Sequence, residues 1–373
     1  MEKIKVLIVD DSVFMRSTLS RILAVPEIQI VGTAENGKIG VEKALELKPD
    51  IITMDIEMPI MNGLDALSEI MKKFPTPVIM ISSLTTEGAE STLDALSRGA
   101  IDFVGKRPAF NEMWGMKEEI IDKVINIGTN ESIKSKFNIK RKYKQLSHAE
   151  GKEEQTKIVQ QLNSAISKRV NTDKLHELSG RSRSDINHIA VIGIGISTGG
   201  PMALIELFKT LPDNLPPILI AQHMPEHFTL SFANRLNSLY KIKVKEAEDN
   251  DNIMNGCAYV APGGRQMTIN KFKKIKITDS AEFLYKPCVN NLFESMVNVY
   301  GSSMLGVIMT GMGNDGMESM KKLHQTGGWC VAQEPDSCVV SGMVRSVLNA
   351  NAVDEIFPLE EMGKAITNIC QKK

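Results

Sequence analysis

The sequence predicts an α/β protein built as two doubly wound parallel-sheet domains joined by a charged linker, and three observations carry that expectation. Short apolar runs alternate with helical patterns from the start of the chain to about residue 127. The same alternation resumes at His188 and runs to the end. Between them, residues 128–187 are polar and weakly apolar, and no proline occurs from Pro108 to Pro201. A chain of 373 residues also exceeds what one ordinary core takes.

In the first segment the expected strands are 5–9, 28–32, 51–54, 78–81 and 101–104. Each is apolar along its whole length, as strands buried on both faces of a parallel sheet must be. Asn62-Gly63 and Gly99 punctuate the helices between them. Sites in such sheets form beyond the carboxyl ends of the strands. There the sequence puts Asp10 and Asp11 after the first strand, Asp55 after the third, Ser82 after the fourth and Lys106 after the fifth. Carboxylates that close repel one another unless a cation neutralises them. Mg²⁺ suits a few carboxylates plus waters and phosphate oxygens. With the ion present, Asp55 can attack a phosphoryl group, Lys106 can pair with the product and Ser82 can donate to one of its oxygens.

The linker carries a basic run, Lys134, Lys136, Lys140, Arg141, Lys142 and Lys144, then Glu150-Gly151-Lys152-Glu153-Glu154. It reads as solvated chain, with one possible helix where Val159, Leu162, Ile166 and Val170 fall at helical spacing.

The second segment has its clearest strands at 189–194, 218–221, 305–309 and 329–332. The first runs into Gly193-Ile194-Gly195-Ile196-Ser197-Thr198-Gly199-Gly200-Pro201 and then a helical pattern. Gly193-x-Gly195 hints at a dinucleotide fingerprint, but Thr198 stands where its third glycine belongs and no acidic residue follows at the required distance. Gly195-x-Ser197-x-Gly199 instead matches a nucleophile elbow. The strand at 218–221 leads to His223, and the strand at 305–309 leads to Asp315 in a Gly-rich loop. Serine, histidine and aspartate then project from one sheet edge. That placement allows Ser197 to attack, His223 to carry the proton and Asp315 to fix the imidazole tautomer. The chain order Ser, His, Asp differs from the Ser, Asp, His order of α/β-hydrolases.

Two resemblances follow. Residues 1–127 resemble the response-regulator receiver family at Val9-Asp10-Asp11-Ser12, Asp55-Ile56-Glu57-Met58-Pro59 and Asn62-Gly63. Residues 188–373 resemble the chemotaxis protein-glutamate methylesterase family. The motifs are Gly195-Ile196-Ser197-Thr198-Gly199-Gly200, Gln222-His223-Met224-Pro225, Phe228-Thr229, Ala261-Pro262-Gly263-Gly264 and Thr310-Gly311-Met312-Gly313-Asn314-Asp315-Gly316. The implied folds are a flavodoxin-like receiver and a Rossmann-like three-layer hydrolase domain. The receiver resemblance implies phosphorylation at Asp55, metal binding by Asp10, Asp11, Asp55 and the Glu57 backbone, and a switch using Ser82, Lys106 and Phe103. The methylesterase resemblance implies a triad of Ser197, His223 and Asp315, an oxyanion hole at the Met312 N–H, and Thr198 lining the site.

The implied activity is hydrolysis of glutamyl methyl esters on chemoreceptors, with deamidation of receptor glutamines, needing Mg²⁺ for phosphorylation and no cofactor for the ester chemistry. A chemotaxis histidine kinase is the implied phosphodonor. A receiver-controlled esterase or amidase for another protein is the alternative. A silent binding module is disfavoured by the intact triad. A DNA-binding regulator is disfavoured by the absence of a helix-turn-helix pattern in the basic run and by a formal charge of −1. Five cysteines without a C-x-x-C pair, no signal peptide pattern and no apolar run long enough to span a bilayer suggest a cytoplasmic protein without membrane insertion.

Overall fold

The computed structural model describes residues 2–106, 116–147, 181–186, 188–279 and 282–371. The chain divides into two compact units. Among the described residues no helix is long and apolar enough to cross a membrane, and all five cysteines are free thiols.

The first sheet comprises β1 (Ile4–Val9), β2 (Ile28–Ala34), β3 (Ile51–Asp55), β4 (Val78–Ser83) and β5 (Asp102–Lys106), in the order β2-β1-β3-β4-β5. The pairs β1–β2, β1–β3 and β3–β4 are parallel. Leu7, Ile8, Ile51, Ile52 and Met80 are wholly buried, which is why these strands read as continuous apolar runs. The helices between them start on side-chain caps that satisfy otherwise orphaned N–H groups. Ser12, Asn36 and Asn62 accept from Met15, Ile39 and Asp65.

The region expected to be solvated linker is partly built into the fold. Helix α5 (Lys117–Thr129; the helices Val13–Ile22, Gly37–Leu47, Gly63–Lys73 and Thr86–Ser97 being α1–α4) buries Ile120, Val124 and Ile127, and it runs past the boundary expected at residue 127. Helix α6 (Glu131–Ser147) follows directly and buries Ile133 and Phe137. Arg141 of the basic run donates to the Pro75 carbonyl at 2.7 Å, and its guanidinium lies 4.0 Å from the centre of the Phe74 ring. Ile133 and Phe137 lie about one turn apart and are buried, while Lys134, Lys136, Lys140 and Lys142 around them are exposed, so the number of lysines masks the narrow apolar stripe. The helical spacing at Val159, Leu162, Ile166 and Val170 lies outside the described residues. At the far end, Arg181 donates to the carbonyls of Gly327 and Gly328 and Arg183 pairs with Glu355, so this stretch too is packed against the C-terminal unit.

That unit holds a seven-stranded parallel sheet. Its strands are β6 (Val191–Ile196), β7 (Ile218–Gln222), β8 (Lys243–Glu246), β9 (Cys257–Val260), β12 (Met304–Ile308), β13 (Trp329–Gln333) and β14 (Glu355–Phe357), ordered β14-β13-β12-β6-β7-β9-β8. A separate antiparallel hairpin is formed by β10 (Gln266–Ile269) and β11 (Ile275–Thr278). The chain leaves β6 toward β7 on one side and later fills the other side from β12 outward. The strand order thus reverses between β6 and β12, the place where open α/β sheets form their sites. The four central strands match the expected ones within about two residues, as usual for element ends.

The buried face of α6 gives a stability test. Phe137→Ala should destabilise the N-terminal unit by about 3 kcal/mol, read as a lower urea midpoint. The exposed Lys136→Ala should change it by less than about 0.5 kcal/mol.

Candidate active site and phosphoacceptor cluster

Strand β6 is buried along its length and delivers Ser197 at its carboxyl end. Two turn residues later Gly199 adopts φ +75°, and a Cβ there would lie 2.5 Å from Val339, so the position requires glycine on both counts. Helix α7 (Gly200–Phe208) starts immediately, with Pro201 in its first turn. The Ser197 N–H donates to the Thr310 carbonyl at 2.9 Å, and the Gly200 N–H returns to the Ser197 carbonyl at 2.7 Å. His223 follows β7 and donates its N–H to Ile196 at 3.1 Å.

The buried Gln222 side chain ties the two segments together. Its Nε2 donates to the carbonyls of Ser197 and His223, both at 3.0 Å. On the other side Thr310, also buried, donates its hydroxyl to the Thr198 carbonyl at 2.9 Å and accepts from the N–H groups of Val339 and Val340. Gly311 permits the closest approach: a Cβ there would lie 2.8 Å from the Ser197 Cβ and 2.3 Å from Met343 Sδ.

Ser197, His223 and Asp315 meet. His223 Nδ1 lies 3.1 Å from Ser197 Oγ, and Nε2 lies 2.8 Å from Asp315 Oδ2. The aspartate can only accept, so the ring carries its proton on Nε2 and presents Nδ1 as acceptor to the serine hydroxyl. The two nitrogens have exchanged the roles they hold in the chymotrypsin triad. Asp315 is 3% exposed, a costly place for a carboxylate without partners. It has several. Helix α9 (Val289–Tyr300; α8 being Phe228–Leu239) aims its N-terminus at the carboxylate, with N–H groups from Val289 at 2.7 Å and Asn290 at 2.9 Å. The Cys288 thiol donates to it at 3.3 Å. Burial alone would raise the Asp315 carboxyl. The hydrogen bond and charge of His223, with the two backbone N–H groups, outweigh burial and hold it below the usual value. Burial first, then the Asp315 charge, pushes the Cys288 thiol up to about 12, so it stays a donor.

Neither the Thr198 nor the Met312 N–H meets a protein acceptor among the described residues, which leaves both free to bind a ligand oxygen. Thr198, next to Ser197 in the chain, is buried, and Met312, three residues before Asp315, is partly exposed. Gln222, Thr310 and Cys288 escaped sequence reasoning. Gln222 adjoins His223 and Thr310 opens the motif that holds Asp315, which was the signal available for those two, whereas no local pattern marked Cys288.

In the N-terminal unit Asp10, Asp11 and Asp55 each offer an oxygen within 4.8 Å of the others. Ser12 N–H donates to Asp10 Oδ1 at 2.9 Å and Ile56 N–H to Asp55 Oδ1 at 2.8 Å. Arg16 donates to the carbonyls of Asp10 and Asp11 at 2.7 and 2.9 Å, which fixes the loop that carries them. Three hard oxygen donors with one exposed member fit Mg²⁺ retaining several waters. Glu57 is exposed two residues beyond Asp55. Ser82, near the end of β4, donates its hydroxyl to the Gly88 carbonyl at 3.1 Å. Phe103 is buried on β5, and Lys106 ends that strand.

Comparison with known proteins agrees across both units. The CheB methylesterase family matches residues 192–366, and the response regulator receiver domain matches residues 6–116. A protein-glutamate methylesterase/protein-glutamine glutaminase of Lawsonia intracellularis is 41% identical over 378 positions, covering 99% of each chain. A protein of the same description from Vibrio vulnificus, numbered 1 there, is 41% identical over 382 positions, covering 97% of each. The crystal structure of the Thermotoga maritima CheB methylesterase catalytic domain aligns with 49% of this chain and all of its own, at 33% identity and a TM-score of 0.47. This chain belongs to the CheB methylesterase family, with a response regulator receiver domain preceding its catalytic domain.

Proposed function

We propose that the protein is a phosphorylation-activated serine hydrolase that removes methyl esters from glutamate side chains of chemoreceptors and deamidates receptor glutamines at the same site. The hydrogen-bonded relay from Ser197 through His223 to Asp315 carries this reading. Ser197 Oγ attacks the γ-carbonyl carbon as His223 Nδ1 takes its proton. Asp315 stabilises the imidazolium without itself becoming protonated. The N–H groups of Met312 and Thr198 bind the oxygen that becomes negative. Collapse of the tetrahedral species breaks the ester bond, and His223 returns the proton to the leaving methoxide. Methanol departs, and Ser197 remains acylated. Water, deprotonated by the same imidazole, then releases the glutamate carboxylate. A glutamine substrate passes through the same acyl-serine with ammonia as leaving group.

Asp55 is the phosphoacceptor in this reading, with a histidine kinase as donor. Mg²⁺, held by Asp10, Asp11, Asp55 and the Glu57 carbonyl, would offset the carboxylate charge and screen the incoming phosphoryl group. Lys106 pairs with the phosphoryl group. Ser82 gives up its bond to Gly88 in order to donate to a phosphoryl oxygen, and Phe103 moves with it as the switch aromatic. Substrates on the cytoplasmic signalling helices of receptors place the enzyme in the cytoplasm.

Methanol release from methylated receptor tests the chemistry. Ser197→Ala and His223→Ala should each remove most turnover, and Asp315→Asn should lower it by about 10⁴-fold with the fold intact. Near wild-type release from folded Ser197→Ala protein would overturn the nucleophile assignment. Release of another group from another protein, with no methanol, would favour the receiver-controlled esterase or amidase reading.

A small-molecule phosphodonor with Mg²⁺ should raise the rate of the wild type and leave Asp55→Asn unchanged. A rise of tens of fold needs only about 2.7 kcal/mol of differential stabilisation. Gly311→Ala should slow labelling of Ser197 by a fluorophosphonate about 100-fold. The added methyl group must displace the serine or the Met343 sulfur, and a 1 Å misplacement has a cost of that order.

A further inference from the structure

The side chain of Tyr285 lies flat against the catalytic imidazole. Its ring centroid is 4.3 Å from that of His223, and the two planes are inclined by only 7°. Tyr285 is partly exposed, so its ring is not part of the apolar core. The surface it covers is the face of His223, whose own side chain is 11% exposed.

The backbone behind the ring is pinned. Gln266 of β10, wholly buried, donates Nε2 to the Tyr285 carbonyl at 2.7 Å. Its Oε1 accepts from the Cys288 N–H at 3.1 Å and from Asn291 Nδ2 at 3.3 Å. One amide therefore ties Tyr285 to the helix start that holds Asp315. The far end of the ring reaches the loop after β12. A Cβ on Gly313, which has φ +80°, would lie 3.1 Å from the Tyr285 hydroxyl oxygen.

From this geometry we propose that Tyr285 is a positioning residue for the triad, holding the His223 ring in the plane that contains Ser197 Oγ and Asp315 Oδ2. The inference rests on the reading of His223 as general base. Hydrogen bonds at Nδ1 and Nε2 fix the ring's in-plane direction but resist tilting weakly, because both lie close to the axis about which it tilts. A parallel aromatic face resists that tilt directly. It also excludes water from one side of the imidazole. When His223 takes the serine proton, the electron-rich ring faces and attracts the cation that forms. The contribution is therefore larger in the transition state than in the ground state, and the expected effect falls on kcat.

The test is methanol release by full-length protein carrying Tyr285→Phe or Tyr285→Leu, alone and on a His223→Ala background. Phenylalanine keeps the aromatic face and should stay within about twofold of wild type. Leucine keeps bulk but loses the face, and should lower kcat about tenfold with KM nearly unchanged. On the His223→Ala background, Tyr285→Leu should cost nothing further, since the residue it acts through is gone.

Wild-type kcat for folded Tyr285→Leu would overturn the proposal. So would equal losses in the phenylalanine and leucine variants, a change carried by KM alone, or the same tenfold loss without His223. Full activity in the His223→Ala parent would instead overturn the reading of the triad, which keeps the two failures separate.

Discussion

The catalytic unit depends on how one buried negative charge is satisfied. Asp315 sits in a loop between a strand and a helix, almost without solvent, where an isolated carboxylate would be several kcal/mol out of balance. Its partners define the local architecture. Helix α9 must point its N-terminus at the carboxylate, which fixes where that helix begins. Cys288 must stay protonated, which its surroundings ensure. The remaining direction of the carboxylate is taken by His223, and that bond selects the imidazole tautomer and so the nitrogen left facing Ser197. Electrostatic need and catalytic geometry are met by the same contacts.

The sheet topology explains why these residues can meet at all. Ser197 and His223 follow neighbouring strands, and Asp315 follows the strand on the opposite side of β6. Because the strand order reverses there, the loops diverge above and below the sheet and leave a crevice between them. The backbone is drawn together across this crevice by side chains with two or more bonds each. Gln222 joins the serine and histidine segments, while Thr310 joins the serine segment to that of Val339 and Val340. Sites held this way keep their geometry at little entropic cost during reaction. The first sheet follows the same rule, gathering Asp10, Asp11 and Asp55 at strand ends.

The ends of the connecting region show how charge can conceal structure. Arginine at 141 covers an aromatic ring and bonds a carbonyl, and arginines 181 and 183 grip backbone and carboxylates near β13 and β14. Trp329 contributes to the same cluster by donating its indole N–H to Glu355 at 2.9 Å. A guanidinium can do this because its long apolar stem and planar fork serve packing and hydrogen bonding together. Counting charges along the chain registers only the polar half of that behaviour.

The sequence by itself determined the class of both folds and the central strands, and it singled out Ser197, His223, Asp315 and the three receiver aspartates, groups that the fold then brings together. Each announces itself locally: a strand end followed by glycine-rich or acidic residues is a short-range pattern, and chemistry at strand ends needs such patterns. The strands β8 to β11 and β14, three or four residues each, were too short to show a period. The apolar face of α6, with Ile133 and Phe137, was diluted by lysines. Tertiary structure alone decided which imidazole nitrogen faces the serine and which residues hold the triad. Tyr285 and Cys288 lie 62 and 65 positions from His223, Gln266 lies 49 from Asp315, and nothing along the chain links them. They act through space, by a ring face, a thiol proton and an amide, and only the folded packing brings those groups together.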